Sequence, residues 1–152
     1  MTRLATLELE DFPQRVAVMA LATVSVVFVD LVTKTAAVAV WPDALLFNVS
    51  DRAPFGPAAG VIAVALSSLL ACVLPVRLVA VGAGLALGGS LGNLTSRHWW
   101  SELGGSPDFI RFADGSTGNV ADLSIAAGAS FIVLSIVVWL FWTTFVAGRD
   151  AA

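Results

Sequence analysis

Four long apolar runs organise the chain, and the polar residues fall mainly between them. The first run extends from about Val16 to Val40, the second from about Ala58 to Leu74, the third from about Val76 to Leu94, and the fourth from about Leu123 to Ala147. A bilayer-spanning helix needs roughly 17 to 25 largely apolar residues, so each run predicts a span, the second near the lower limit. All six prolines, Pro13, Pro42, Pro54, Pro57, Pro75 and Pro107, lie outside these runs or at their ends. Proline in a helix interior removes a hydrogen bond and clashes with the preceding turn. Pro75 marks a tight turn between the second and third spans.

The pattern therefore predicts an all-α integral membrane protein, a single domain over residues 1–152 with four transmembrane helices. Two loops, Trp41 to Pro57 and Ser96 to Asp122, share one side, and the first is expected to carry short strands. Both termini share the other side. Lys/Arg bias orients membrane proteins. Arg3, Arg15, Arg77 and Arg149 on the terminal side against Arg52, Arg97 and Arg111 on the loop side place the termini in the cytoplasm and the loops outside. Trp41, Trp99 and Trp100 are expected at the outer interface, with Trp139 and Trp142 at the inner one.

Composition agrees. Of 152 residues 58% are hydrophobic and 12% charged, and the mean hydropathy is +0.90; a soluble domain carries roughly 25% charged residues. The net charge of −3 excludes a basic nucleic-acid-binding surface. Cys72 is the single cysteine and lies in an apolar run, so it reads as a core residue. His98 is the single histidine, so no zinc ligand set is available. No metal and no cofactor is expected. The mixed-charge start, MTRLATLELEDFPQR, does not read as a cleavable signal peptide.

Several polar residues interrupt the apolar pattern. Asp30 and Lys34 lie four apart in the first run, hence on one helical face. Charge within a bilayer costs at least ~2.5 to 3.5 kcal/mol, and pairing reduces that cost. They read as a packing ion pair or as direct functional contacts. Asn93, Ser96 and Arg97 project from one face at the end of the third run, and Asn119 and Asp122 from one face at the start of the fourth. The two groups are expected to converge. Asp122 also suits a helix N-cap. Gly84, Gly88 and Gly92, spaced by four, form a smooth stripe for helix packing.

Taken in order, DLVTK (Asp30–Lys34), FNVSDRAPFG with Asn48, LALGGSLGNLTSR, SPDFI (Ser106–Ile110) and GNVADLSI resemble the motifs of the lipoprotein signal peptidases, or signal peptidase II. These are bacterial four-span aspartic peptidases of the cytoplasmic (inner) membrane. The resemblance covers nearly the whole chain. It implies cleavage just before a diacylated cysteine, carried by two aspartates: one in G-N-x-x-D-R and one in N-x-A-D. One carboxylate, ionised, takes a proton from water, while the other, protonated, donates to the scissile carbonyl. Asp122 matches the second aspartate, and Ser96 stands at the position of the first. Asn48, Asn93, Arg97, Asn119, Asp30, Lys34 and Asp108 match surrounding motif positions.

A serine cannot supply half of a carboxylate dyad. The expectation is a non-proteolytic relative, a pseudoenzyme serving as a binding or accessory subunit that engages a lipoprotein or another membrane protein within the lipid. The alternative is an active aspartic endopeptidase with an altered dyad. Asp108 or Asp114 could then supply the missing acid, or Asp51 in the diverged Asp51–Arg52 pair, which otherwise reads as solvated. A Ser96–Lys34 nucleophilic pair would require Lys34 to lose its proton beside Asp30. A transporter is disfavoured because no chain of intramembrane charges crosses all four spans.

Overall fold

The computed structural model describes residues 11–48 and 56–146. The chain start with Arg3, the segment containing Ser50, the Asp51–Arg52 pair and Pro54, and the end with Arg149 lie outside the described residues. Helix α1 spans Phe12–Val40, α2 Gly56–Ala71, α3 Arg77–Trp99 and α4 Val120–Phe141, the last continuing into a π-helical turn at Trp142–Val146. Pro13 enters α1 in its first turn, where its missing N–H costs nothing. Pro75 sits in the short turn between α2 and α3, as its sequence position predicts.

Three of these helices are long and apolar enough to cross a membrane; the stretch Ala58–Ala71 of α2 is a shorter apolar helix. Burial runs opposite to that of a water-soluble core. Leu21, Phe28, Leu66, Leu70 and Leu134 are exposed, whereas Asp30, Lys34 and Ser96 are fully buried. A helical surface of this kind belongs in lipid, where the polar groups must find partners inside.

Helix α3 is the hub, packing against α1, α2 and α4. Its glycines explain how. A Cβ at Gly84 or Gly88 would meet Met19, Ala22, Thr23 or Val26 of α1. On the other side, a Cβ at Gly82 or Gly89 would meet Gly128, Ile132, Ala121 or Ile125 of α4. Gly128 repeats the device from α4, against Gly82 and Ala86. Small residues let backbones approach where lipid removes any hydrophobic drive for association. At one end, Met19, Cys72, Ala80 and Ala83 form a small apolar core.

The boundaries of the polar ends differ from the hydropathy pattern. Helix α3 continues past Leu94 to Trp99, so Asn93, Ser96 and Arg97 lie within its last turns rather than at a loop edge. Helix α4 starts at Val120, not Leu123, because Asn119 and Asp122 form a capping box. Trp100 is buried, while Trp41 and Trp99 are exposed.

Both loops contribute strands. Strand β1, Leu46–Asn48, pairs antiparallel with β2, Ser106–Asp108, with Leu46 opposite Asp108 and Asn48 opposite Ser106. Strand β3, Ile110–Arg111, pairs with β4, Thr117–Gly118. Gly115, at φ 84°, makes the turn between β3 and β4.

Candidate functional site

Helix α4 begins the site. The Asn119 side chain accepts from the Asp122 backbone N–H at 3.3 Å, and Asp122 Oδ2 accepts from the Asn119 backbone N–H at 3.0 Å. Asp122 is thus the third residue of the helix, not its cap. Its second oxygen stays available, and Asn93 Nδ2 on α3 donates to Asp122 Oδ1 at 2.8 Å. Asp122 is half-buried and carries one donor on each oxygen.

Asp108 approaches from β2. Asn119 Nδ2 donates to its Oδ1 at 2.7 Å, and Asn48 Nδ2 of β1 lies 3.5 Å from its Oδ2. The strand register accounts for Asn48, which is one diagonal step across the β1–β2 pair. Asn119 therefore bonds both carboxylates, Asp108 through its side chain and Asp122 through its backbone. Burial pushes the Asp108 carboxyl above its ordinary range. The neighbouring Asp122 charge adds to the rise, and hydrogen bonds from Asn119 and Asn48, with the Lys34 charge, oppose it.

Ser96 belongs to a different set of contacts. It is fully buried, and its hydroxyl donates to the Gly92 carbonyl at 2.6 Å and accepts from Lys34 Nζ at 2.9 Å. Lys34 Nζ also donates to Asp30 Oδ2 at 2.7 Å and to Asn93 Oδ1 at 3.0 Å. Asp30 Oδ1 in turn accepts from the Ala121 backbone N–H at 2.9 Å, in the first turn of α4. This ion pair ties α1 to α3 and α4 together. Gly92 makes room for it, since a Cβ there would lie 2.7 Å from Asp30 Oδ2. No hydrogen bond joins Ser96 to Asp122 directly; Lys34 and Asn93 intervene.

The alternatives left open by the sequence separate on this geometry. Lys34 and Ser96 are within hydrogen-bond reach, yet Lys34 is paired with Asp30 and the Ser96 proton is given to a helical carbonyl. In these contacts Lys34 is the donor and Ser96 the acceptor, the reverse of what a lysine base and serine nucleophile require. Asp114 is exposed in the β3–β4 turn, where hydrogen bonds from the Ser116 hydroxyl and backbone hold its carboxyl below the usual range. Of Asp108 and Asp114, only Asp108 reaches the Asn119–Asp122 cluster. Arg97 stands one residue beyond Ser96, half-buried, and its Nε finds no hydrogen-bond partner among the described residues.

Ser106 was not among the sequence-derived candidates. It is buried; its hydroxyl lies 3.4 Å from Asn93 Oδ1 and accepts from Asn119 Nδ2 at 3.4 Å. The available signal was alternation, because Ser106 and Asp108 are two apart on a strand and share a face. Among the described residues no group of His, Cys, Asp and Glu could hold a metal ion.

The family model described as signal peptidase (SPase) II matches residues 21–138. Two solved structures are similar in fold, each described as a bacterial membrane enzyme. One is 19% identical, with a TM-score of 0.61, covering 79% of this chain and 92% of the other. The second is 23% identical, with a TM-score of 0.58, covering 83% and 89%. No curated protein matches the chain.

Proposed function

From the premise that this chain belongs to the signal peptidase II family, we propose that it is an active aspartic endopeptidase whose dyad is Asp108 and Asp122. That family is one of the bacterial inner membrane, and a lipoprotein substrate fits it. The proposed cleavage is at the bond before a diacylated cysteine, with both termini of the enzyme cytoplasmic. The observation that carries the reading is Asn119, which bonds both carboxylates at once. The rival reading, a non-proteolytic accessory subunit, needs Ser96 to be the lost half of the dyad. Ser96 bonds Gly92 and Lys34, whereas the hydrogen bonds of Asp122 run to Asn93 and Asn119, the residue that also holds Asp108.

The two acids have different surroundings, and that difference assigns their roles. Asp122 accepts an N–H donor on each oxygen, from Asn93 and from the Asn119 backbone, and is the acid assigned to the attacking water. It takes a proton from water as the water oxygen attacks the scissile carbonyl carbon. Asp108, pushed toward the neutral form by burial, gives its proton to the carbonyl oxygen. As the tetrahedral species collapses, Asp122 passes its proton to the departing nitrogen and Asp108 recovers one from the diol. Water is consumed and both acids return to their starting states.

The test uses the purified full chain in mild detergent and a diacylated prolipoprotein peptide. Cleavage is expected, and Asp108→Asn and Asp122→Asn should each reduce it by a factor of 10³ or more, a magnitude typical for members of a cooperating set. Ser96→Asp should not rescue Asp108→Asn. Rescue would return the second acid to position 96, and a folded but inert unmodified chain would restore the accessory-subunit reading. Cysteine labelling at Ser101→Cys from outside, with Thr2→Cys protected, tests the orientation.

A further inference from the structure

The hydrogen bonds of Asn93 point beyond the dyad itself. An amide can present its oxygen or its nitrogen to a neighbour, and the surrounding donors decide which. Lys34 Nζ has only hydrogens to offer. At 3.0 Å it fixes Asn93 Oδ1 toward α1, and Ser106 Oγ lies 3.4 Å from the same oxygen. The Asn93 nitrogen is thereby turned to Asp122 Oδ1 at 2.8 Å. Lys34 itself has little freedom. It is fully buried, and its three ammonium hydrogens are matched by three acceptors: Asp30, Asn93 and Ser96.

We infer that Lys34 is a positioning residue for the dyad, acting through Asn93 to keep an N–H donor on Asp122. The inference rests on the Asp108–Asp122 reading above. Without Lys34 the Asn93 amide can turn over, and its oxygen then faces Asp122. Two acceptors tolerate each other only when Asp122 carries a proton, which is the form that cannot take one from water. Loss of Lys34 thus acts on the protonation of Asp122, while substrate binding is left unchanged. Ser96 contributes as a neutral acceptor. It satisfies the third ammonium hydrogen without adding a second negative charge beside Asp30.

The groups facing Asp122 can be named by element. They are Asn93 from α3, Asn119 from the start of α4, and Asp108 from β2, with Lys34 of α1 acting on both carboxylates through space. Truncating Lys34 alone would leave Asp30 as an unpaired buried charge, a strongly destabilising change. The decisive variant is therefore the pair Lys34→Met with Asp30→Asn, which removes both charges. It leaves an amide oxygen for the Ala121 N–H.

Melting temperature, kcat, KM and the pH dependence of kcat are measured on the full chain in detergent with a diacylated lipopeptide. Expected are an unchanged KM, a kcat lowered roughly 10- to 100-fold, at and below the lower end of what a positioned general base contributes, and an acid limb moved to higher pH. Asn93→Leu should give the same movement, and the two changes combined should lower kcat no further than either alone, because they break one chain of contacts. A folded double variant with the parent's kcat and acid limb overturns the inference. So does an additive effect with Asn93→Leu. If the double variant does not fold, Asn93→Leu alone decides, and an unmoved acid limb refutes the role. Failure of the dyad reading is separate, since it appears as activity retained in Asp108→Asn or Asp122→Asn.

Discussion

Helix α1 buries a cation near each of its ends, and the two are used differently. Arg15 is 2% exposed, and its Nε donates to the Cys72 carbonyl at 2.8 Å, beyond the end of α2. Lys34 is fully buried and donates to side chains on α1 and α3, one of which continues to Asp122. Burial of a charge obliges the fold to supply partners in both places. What differs is where the contacts lead. The Arg15 Nε bond to Cys72 reaches a backbone carbonyl, which has no protonation state to adjust. The Lys34 contacts end on a carboxylate, which does. A buried charge in a membrane helix therefore identifies a fixed point of the fold, and the partner of its partner shows whether chemistry depends on it.

The sharpest way to break this contrast is at the carboxylates. Asp122→Asn should lower kcat by about 10³- to 10⁴-fold, the range for a member of a cooperating set, with little change in melting temperature. If cleavage persists, the Lys34 end of the bundle is as purely structural as the Arg15 end. Next in size is Arg15→Met. It leaves a buried carbonyl without its donor, a cost of about 1–3 kcal/mol. A lower melting temperature with kcat and KM unchanged is expected. A selective loss of kcat would make the two cations alike.

Two glycines sharpen the comparison further. Gly92→Ala pushes a methyl against the Asp30 carboxylate, whereas at Gly60 of α2 an added Cβ meets nothing within 4 Å. Overpacking of a tight site costs about 1–3 kcal/mol. Gly92→Ala should thus lower both stability and kcat, while Gly60→Ala should lower neither, as thermal melts and cleavage assays can check.

The smallest effect is a pH-dependent one at Asp108. Its carboxyl is raised in the folded chain, so the folded state holds a proton that the unfolded state releases above pH ~4. Stability therefore falls as pH rises from there through the raised value. Asp108→Asn removes this loss. It should be more stable than the parent at pH 7 to 8, by a margin that disappears below about pH 4, while being catalytically impaired. A margin independent of pH would show that Asp108 is not held toward its neutral form.

Much of this was legible in the chain. The apolar runs marked α1, α3 and α4 because a bilayer demands long uninterrupted apolar helices. The prolines marked their ends, since proline cannot sit in a helix interior without breaking its hydrogen bonds. Spacing also placed Asp30 with Lys34, and Asn119 with Asp122, because residues three and four apart share a helical face. Motif order brought Asn48, Asn93, Ser96 and Asp108 into one list.

Which members of that list touch one another was decided by tertiary structure. Motif position puts Ser96 in the place of the first aspartate and leaves Asp108 among the surrounding residues, one of several acids that could stand in for it. In the fold, Ser96 faces α1 and spends its hydroxyl on Gly92 and Lys34, while the β1–β2 pairing brings Asp108 to Asn119. The role of Ser106 likewise depends on that short strand lying against α3 and α4. Helical faces follow from a period of 3.6 residues and can be read locally. Which carboxylate meets which depends on the packing of α3 against its neighbours and on a strand register set between two distant loops. Those are contacts between residues far apart in sequence, and no local pattern encodes them.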